Sequence, residues 1–233
     1  MDVDDPHALA RPLRPQVFGK TKAMAIGDPL VEPMWPGLRV LAAVGGGATT
    51  LFDEDGAAIE DHPGIRSDLT RTIGAAADGA ILDGYLTKHA VTDEGGVHTW
   101  VNEYPTLGGM LSGIMIGRRR HRIEDVERRR AAEIAEVTFE EEDLVNLVLV
   151  DVLWLDGQWL FDVPLLERKR VLESILPGDV LVRTGPFVRP PIGTWVGSWR
   201  AQGFRGLTFK SANSRYRPGE AAEDWATSAM PRR

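Results

Sequence analysis

The sequence predicts a domain of mixed helices and strands, and three observations carry that reading. Its 233 residues suit one domain, or one domain with a modest appendage. The run from Leu147 to Leu155 is apolar almost throughout and meets a turn at Asp156-Gly157, as a strand buried on both faces would. Apolar residues at Ile65, Leu69, Ile73 and Ala76 recur at helical spacing. A hydrophobic fraction of 43% is enough to fill a sizeable core.

Taken in order, residues 1 to about 28 hold Pro6, Pro12 and Pro15 without a clear period and read as an irregular lead-in wrapped on the surface. Leu38 to Val44 and Ala48 to Phe52 are β-prone runs about Gly45-Gly46-Gly47, a hairpin pattern. A helix spans Ile65 to Ala77 and stops at Asp78-Gly79. Ala80-Ile81-Leu82 and Tyr85-Leu86-Thr87 read as two strand halves about Asp83-Gly84. Thr99-Trp100-Val101 suggests a further strand, Gly108–Gly117 a glycine-rich apolar segment, and residues 122–137 a charged helix. Pro164 opens a helix through Leu176, stopped by Pro177-Gly178. Thr194 to Gln202 is a short helix with Gly203 as its cap, and Leu207 to Lys210 a strand. Residues 218–233 lose apolar content and read as a loosely held tail.

Composition excludes several classes. No apolar run approaches the ~20 residues of a membrane-spanning helix. The acidic start Met1-Asp2-Val3-Asp4-Asp5 is not a signal peptide. Without cysteine there is no disulfide, thiolate metal site or cysteine nucleophile, which fits a cytoplasmic protein. Net charge is -7 and the pI about 5.3, so nucleic acid would have to meet a local basic patch. Seven arginines between Arg118 and Arg130 offer one, but Glu124, Asp125 and Glu127 interrupt them, the pattern of a solvated helix face. The five histidines are scattered without a Gly-x-Ser-x-Gly elbow. No Gly-Lys-Ser/Thr follows the three glycines, so they make no phosphate-binding loop.

Five segments carry the chemistry. Val31-Glu32-Pro33-Met34-Trp35-Pro36-Gly37-Leu38-Arg39 is followed by Phe52-Asp53-Glu54-Asp55-Gly56 and then by Ile81-Leu82-Asp83-Gly84-Tyr85-Leu86. Val148-Leu149-Val150-Asp151-Val152-Leu153-Trp154-Leu155-Asp156-Gly157 continues through Pro164-Leu165-Leu166-Glu167-Arg168-Lys169-Arg170. The last segment is Gly203-Phe204-Arg205-Gly206-Leu207-Thr208-Phe209-Lys210, with Ser214-Arg215-Tyr216-Arg217-Pro218-Gly219 and Trp225 beyond it. In this order they resemble the adenylation domain of ATP-dependent DNA ligases over roughly residues 28 to 228.

The resemblance implies an α+β nucleotidyltransferase fold, two antiparallel sheets around a nucleotide cleft. It places Glu32, Met34, Gly37, Arg39, Asp83, Gly84, Tyr85, Val150, Arg205 and Lys210 at the cleft. The chain departs from the family where the chemistry lies. Met34 stands where the family has its nucleophilic lysine, and a thioether cannot form the phosphoramidate with AMP that an amine can. Pro36 replaces the motif's aspartate. Tyr85 and Arg205 replace glutamates that handle metal, Val150 the aromatic residue against adenine, and Thr227 and Ala229 two late lysines. Lys210 matches the family lysine that contacts phosphate.

Loss of the nucleophile, both metal ligands and the stacking residue together predicts a pseudoenzyme, linked to DNA repair, recombination or nucleotide binding. ATP is a doubtful ligand on this reading, divalent metal is not expected, and DNA or a repair protein is a candidate partner. Met34, Tyr85 and Val150 would fill a disused pocket. Arg39 and Lys210 would be kept for ion pairs with Glu32 or Asp83. One alternative is an active ligase with a displaced site, served by Lys20, Lys22 or Lys210. The other is a module that holds nucleic acid or an acidic partner through Arg118–Arg130. The organisation expected is a lead-in over 1–27, a ligase-like domain over 28–228 with a charged insertion near 118–143, and a tail over 229–233, with no OB-fold domain.

Overall fold

A computed structural model describes residues 5–88, 145–176 and 181–231, which belong to one compact unit. The expectations for Thr99–Val101, Gly108–Gly117, the charged helix and the Arg118–Arg130 segment lie outside these residues.

The large sheet is built on a hairpin and two long neighbours. Strands β3 (Leu38–Gly45) and β4 (Ala48–Phe52) join through Gly46 and Gly47, both at positive φ. β3 pairs antiparallel with β6 (Gly79–Thr87), which pairs antiparallel with β7 (Asn146–Leu155). Short strands β5 (Ala58–Ile59) and β8 (Gln158–Trp159) complete the order β5-β4-β3-β6-β7-β8. β6 is one continuous strand, not two halves: the Asp83-Gly84 step is a register shift within the ladder. Gly84 is required there because a Cβ would stand 2.6 Å from the Val148 carbonyl oxygen.

Two helices cover one face. α2 (Pro63–Gly74) and α3 (Leu165–Ile175) bury Ile65, Leu69, Ile73, Leu172 and Ile175 against Val40, Ala42, Leu82 and Leu149. Their apolar stripes recur at three and four residues, so each presents one face to the sheet. The opposite face packs Leu41, Ile81, Leu153 and Trp154 against Ala10, Tyr216 and Trp225.

A second sheet has the order β12-β10-β2 and is antiparallel throughout. Its strands are β2 (Pro29–Pro33), β10 (Gly206–Ser211) and β12 (Trp225–Ala229). Helix α4 (Gly193–Ala201) precedes β10, and Gly203 at positive φ follows it. The description as two antiparallel sheets needs amendment. β9 (Val182–Thr184) joins the large sheet parallel to β7, because the chain crosses over through α3 before returning. A third, two-stranded parallel sheet pairs β1 (Val17–Phe18) with β11 (Ala221–Ala222).

Both chain ends are more ordered than composition implies. The lead-in forms helix α1 (Pro6–Ala10), capped by the Asp5 carboxylate, and buries Pro6, Ala10 and Gln16. The expected tail instead supplies β11 and β12. Its Trp225 is fully buried, and its indole N–H donates to Ser214 Oγ at 2.9 Å. A few apolar residues at the right register suffice here, since β10 supplies the backbone partners.

Candidate functional site

The site lies where β2 and β10 face α3 and β7. Cross-strand pairs Leu30↔Lys210 and Glu32↔Thr208 put these side chains on one face, because side chains alternate along a strand. Glu32 is buried at the centre and holds two lysines. Lys169 Nζ on α3 lies 2.6 Å from Glu32 Oε1, and Lys210 Nζ lies 3.0 Å from Oε2. Lys169 also donates to the Val150 carbonyl at 2.8 Å, and the Lys210 ammonium sits 4.6 Å from the Trp225 ring centroid. Burial pushes the Glu32 carboxyl up, but the two ammonium groups outweigh it and hold the carboxyl below its usual value. Burial drives Lys169 below the usual lysine value, with Glu32 pulling the other way and Lys210 adding to the fall.

Two guanidinium–carboxylate pairs lie side by side on the large sheet, since Asp83 and Asp151 are partners in the β6–β7 ladder. Arg39 Nε and Nη2 donate to Asp83 at 3.0 and 2.7 Å, and Arg168 Nε and Nη2 donate to Asp151 at 2.8 Å each. Both are bidentate and buried, the geometry in which arginine pairs best. Arg39 Nη1 donates to the Gln16 carbonyl, so each of its three nitrogens has an acceptor. Tyr216 donates to Asp83 Oδ2 at 2.8 Å and accepts from the Gln16 N–H. Burial and the Asp83 charge raise the Tyr216 phenol well above its usual value.

The positions singled out by the resemblance fall as follows. Met34 follows β2, its N–H donating to the Gly206 carbonyl, and it is 40% exposed. Its thioether lies over Gly206, where a Cβ would stand 2.7 Å from Met34 Cε. Val150 is buried and Tyr85 half-buried, the latter beneath Arg39 with its ring centroid 5.8 Å from the guanidinium carbon. Burial raises Tyr85 to about 12, against the pull of Arg39. Arg205 is exposed, immediately before Gly206. Gly37 has φ 119, and a Cβ there would stand 2.1 Å from the Leu86 carbonyl oxygen.

Met34 is partly exposed over Gly206, whereas its neighbour Trp35 is buried, meets Phe204 edge-on at 5.0 Å, and places its indole beside Gly185 together with Val148 and Val150. A cavity of about 570 Å³ is lined by Pro36, Gly37, Leu38, His62 and Leu86 among others, and neither Met34 nor Tyr85 is among its lining residues. The ion pairs anticipated for Arg39 and Lys210 are present, with Asp83 and Glu32 respectively. Lys169, Gln16 and Trp35 escaped the sequence reading. Lys169 had one signal: it is the middle of three consecutive cations on a helix, and a helix cannot turn all three to solvent.

Nucleotidyl transfer in this fold calls for an amine and for carboxylates that hold a divalent cation. Among the described residues Glu32, Asp83 and Asp151 are each closed on lysine or arginine, and no group of three or more His, Asp or Glu is placed to hold a metal ion.

Comparison with known proteins agrees with this architecture. Residues 116–227 match the family described as the ATP dependent DNA ligase domain. The chain is 26% identical over 224 residues to DNA ligase 2 of Methanosarcina mazei, covering 91% of this chain and 34% of that protein. It is 28% identical over 206 residues to DNA ligase 2 of Methanosarcina acetivorans, covering 84% of this chain and 31% of that protein. The chain therefore spans about a third of the length of these curated relatives. The crystal structure of the ligase domain of M. tuberculosis LigD superposes with TM-score 0.61 at 19% identity, over 93% of this chain and 59% of that one. The bacteriophage T7 ligase complexed with ATP superposes with TM-score 0.54 at 14% identity, over 94% and 69%. By fold and by sequence this chain is similar to the adenylation domain of ATP-dependent DNA ligases.

Proposed function

We propose that the chain is a ligase-family domain that has given up adenylyl transfer, a pseudoenzyme linked to DNA repair or nucleotide binding. The observation that carries this is the amine inventory of the cleft. Met34 holds the nucleophile position, and the two lysines nearby, Lys169 and Lys210, are buried and bound to Glu32. An amine held as an ammonium against a carboxylate has no lone pair to offer phosphorus. Arg39 likewise has its donors spent on Asp83 and Gln16, so it is a structural clamp. The replacements Tyr85 and Arg205 support the same reading, since neither side chain ligates Mg²⁺ in place of a carboxylate.

The test is transfer of label from α-labelled ATP to protein, with Mg²⁺ or Mn²⁺, read on a denaturing gel. No labelled band is expected for the wild type, and Met34→Lys alone leaves the protein unlabelled because the metal carboxylates are still missing. A wild-type band that disappears on replacing a single lysine would overturn the reading in favour of a displaced active site.

A further inference from the structure

β12 lies at the edge of its sheet, paired with β10 on one side only. Along such a strand the backbone groups point alternately toward the neighbour and away from it. The Asp224 carbonyl accepts from the Ser211 N–H and the Met230 N–H donates to the Arg205 carbonyl, so these positions and those between them in alternation face β10. The Trp225 carbonyl accordingly points outward, where it accepts from the Gly19 N–H. Thr227 and Ala229 point outward too. Both are exposed, and among the described residues neither makes a backbone–backbone hydrogen bond on that side; the Ala229 carbonyl receives only the Ser228 hydroxyl, at 3.2 Å. Soluble proteins ordinarily block such an edge with a lysine, a proline or a bulge. From Trp225 to Ala229 there is no charge and no proline, and the register with β10 runs without a shift. β1 and the single helical turn Ala23–Ala25 lie beside the strand, with Val17 51% exposed and Met24 fully exposed. An open backbone edge flanked by exposed apolar side chains fits another extended strand. The two ends of the edge carry opposite charge. Exposed Glu223 and Asp224 precede it, while at its far end exposed Arg205 stands beside Met230 and Arg200 donates to the Pro231 carbonyl.

We propose that β12 pairs antiparallel with β12 of a second copy of this chain, joining the two three-stranded sheets into one across a two-fold axis. With Thr227 of one copy opposite Ala229 of the other, every outward N–H and C=O of these residues gains a partner in both copies. The charges select this occupant and this direction. An antiparallel copy brings Glu223 and Asp224 to the end held by Arg200 and Arg205, and the symmetry repeats that match at the other end. A parallel neighbour would set acid against acid. The patch is therefore complementary to itself in backbone and in charge. An edge this short makes a weak dimer that depends on concentration, not a permanent one.

The experiment is sedimentation velocity of the full chain from low micromolar to submillimolar concentration, paired with hydrogen exchange over the same range. The 25.6 kDa monomer is expected to give way to a species of twice that mass. The amides of Thr227 and Ala229 gain protection as the dimer forms, whereas that of Ser228, which already faces β10, does not. Thr227→Pro removes an outward donor and no bond to β10, a placement that edge strands tolerate. It is expected to raise the dissociation constant by about tenfold or more, and Thr227→Lys, which keeps the backbone whole, to do the same by charging the edge. Arg205→Glu weakens the dimer by about threefold to tenfold, since symmetry doubles each rim pair, and Asp224→Arg in the same chain restores it. A protein that stays monomeric at every concentration, a dimer in which exchange at Thr227 and Ala229 is unchanged, or one that both Thr227 variants leave intact would each overturn the proposal. A charge reversal that Asp224→Arg fails to restore would overturn the antiparallel arrangement.

Discussion

Asp83 and Asp151 sit opposite one another on the two central strands, each closed by the fork of one guanidinium. Such pairs specify structure more than they stabilise it, but breaking one strands a buried charge. Asp151→Asn, which leaves Arg168 unpaired, is expected to lower stability by about 3–5 kcal/mol in urea unfolding, whereas Asp151→Leu with Arg168→Met costs far less. A second prediction concerns alkali. Tyr85 is raised from 10.0 to about 12, so between these values the unfolded chain gives up a proton that the folded chain keeps. Stability therefore falls as pH rises through this window. Tyr85→Phe should flatten the fall between about pH 10 and 12, and an unchanged slope would assign it to other groups, Tyr216 foremost. Glu32 has the opposite sense. Held below its usual 4.5, it contributes stability above that pH that is lost on acidification through its folded value. At this scale the motif residues were legible in the sequence, because Gly37, Arg39, Asp83 and Lys210 keep their spacing. The partner of each was less so: Lys169 reaches Glu32 from α3, an element far from β2 in the chain, and the burial of Trp35 beside Phe204 depends on contacts that no local pattern announces.

The elements were read best where period and punctuation agreed. β7 with its Asp156-Gly157 turn, the β3–β4 hairpin and α3 opened by Pro164 all appear within a residue or two of expectation. β12 was missed because its sequence, Trp-Ala-Thr-Ser-Ala, has one large apolar side chain and takes its stability from pairing with β10. That single side chain makes a sharp test. Trp225 is fully buried between Phe18, Tyr216 and the Lys210 ammonium. Trp225→Ala is expected to cost about 3–5 kcal/mol, measured by thermal or urea unfolding. A loss below about 1 kcal/mol would return the segment to the status of a tail.

For the molecule as a whole, antiparallel pairing of successive strands was inferable, whereas the parallel β7–β9 pair and the small β1–β11 sheet depend on long crossovers that no local pattern announces. The β1–β11 sheet has a consequence in time. Val17 pairs with Ala221, and the Gln16 N–H donates to the Tyr216 phenol across 200 positions of chain. At ~5–20 residues per second, a ribosome takes about 10–40 s to deliver the second partner after the first. Until then Gln16 has no phenol to bond, Asp83 lacks its third donor, and the first strand waits unpaired in a chain whose long-range contacts already make folding slow. The two strands are thus a clasp that cannot fasten until Tyr216 and Ala221 have emerged, and a nascent chain halted before Tyr216 would present that open clasp to whatever quality-control machinery meets it.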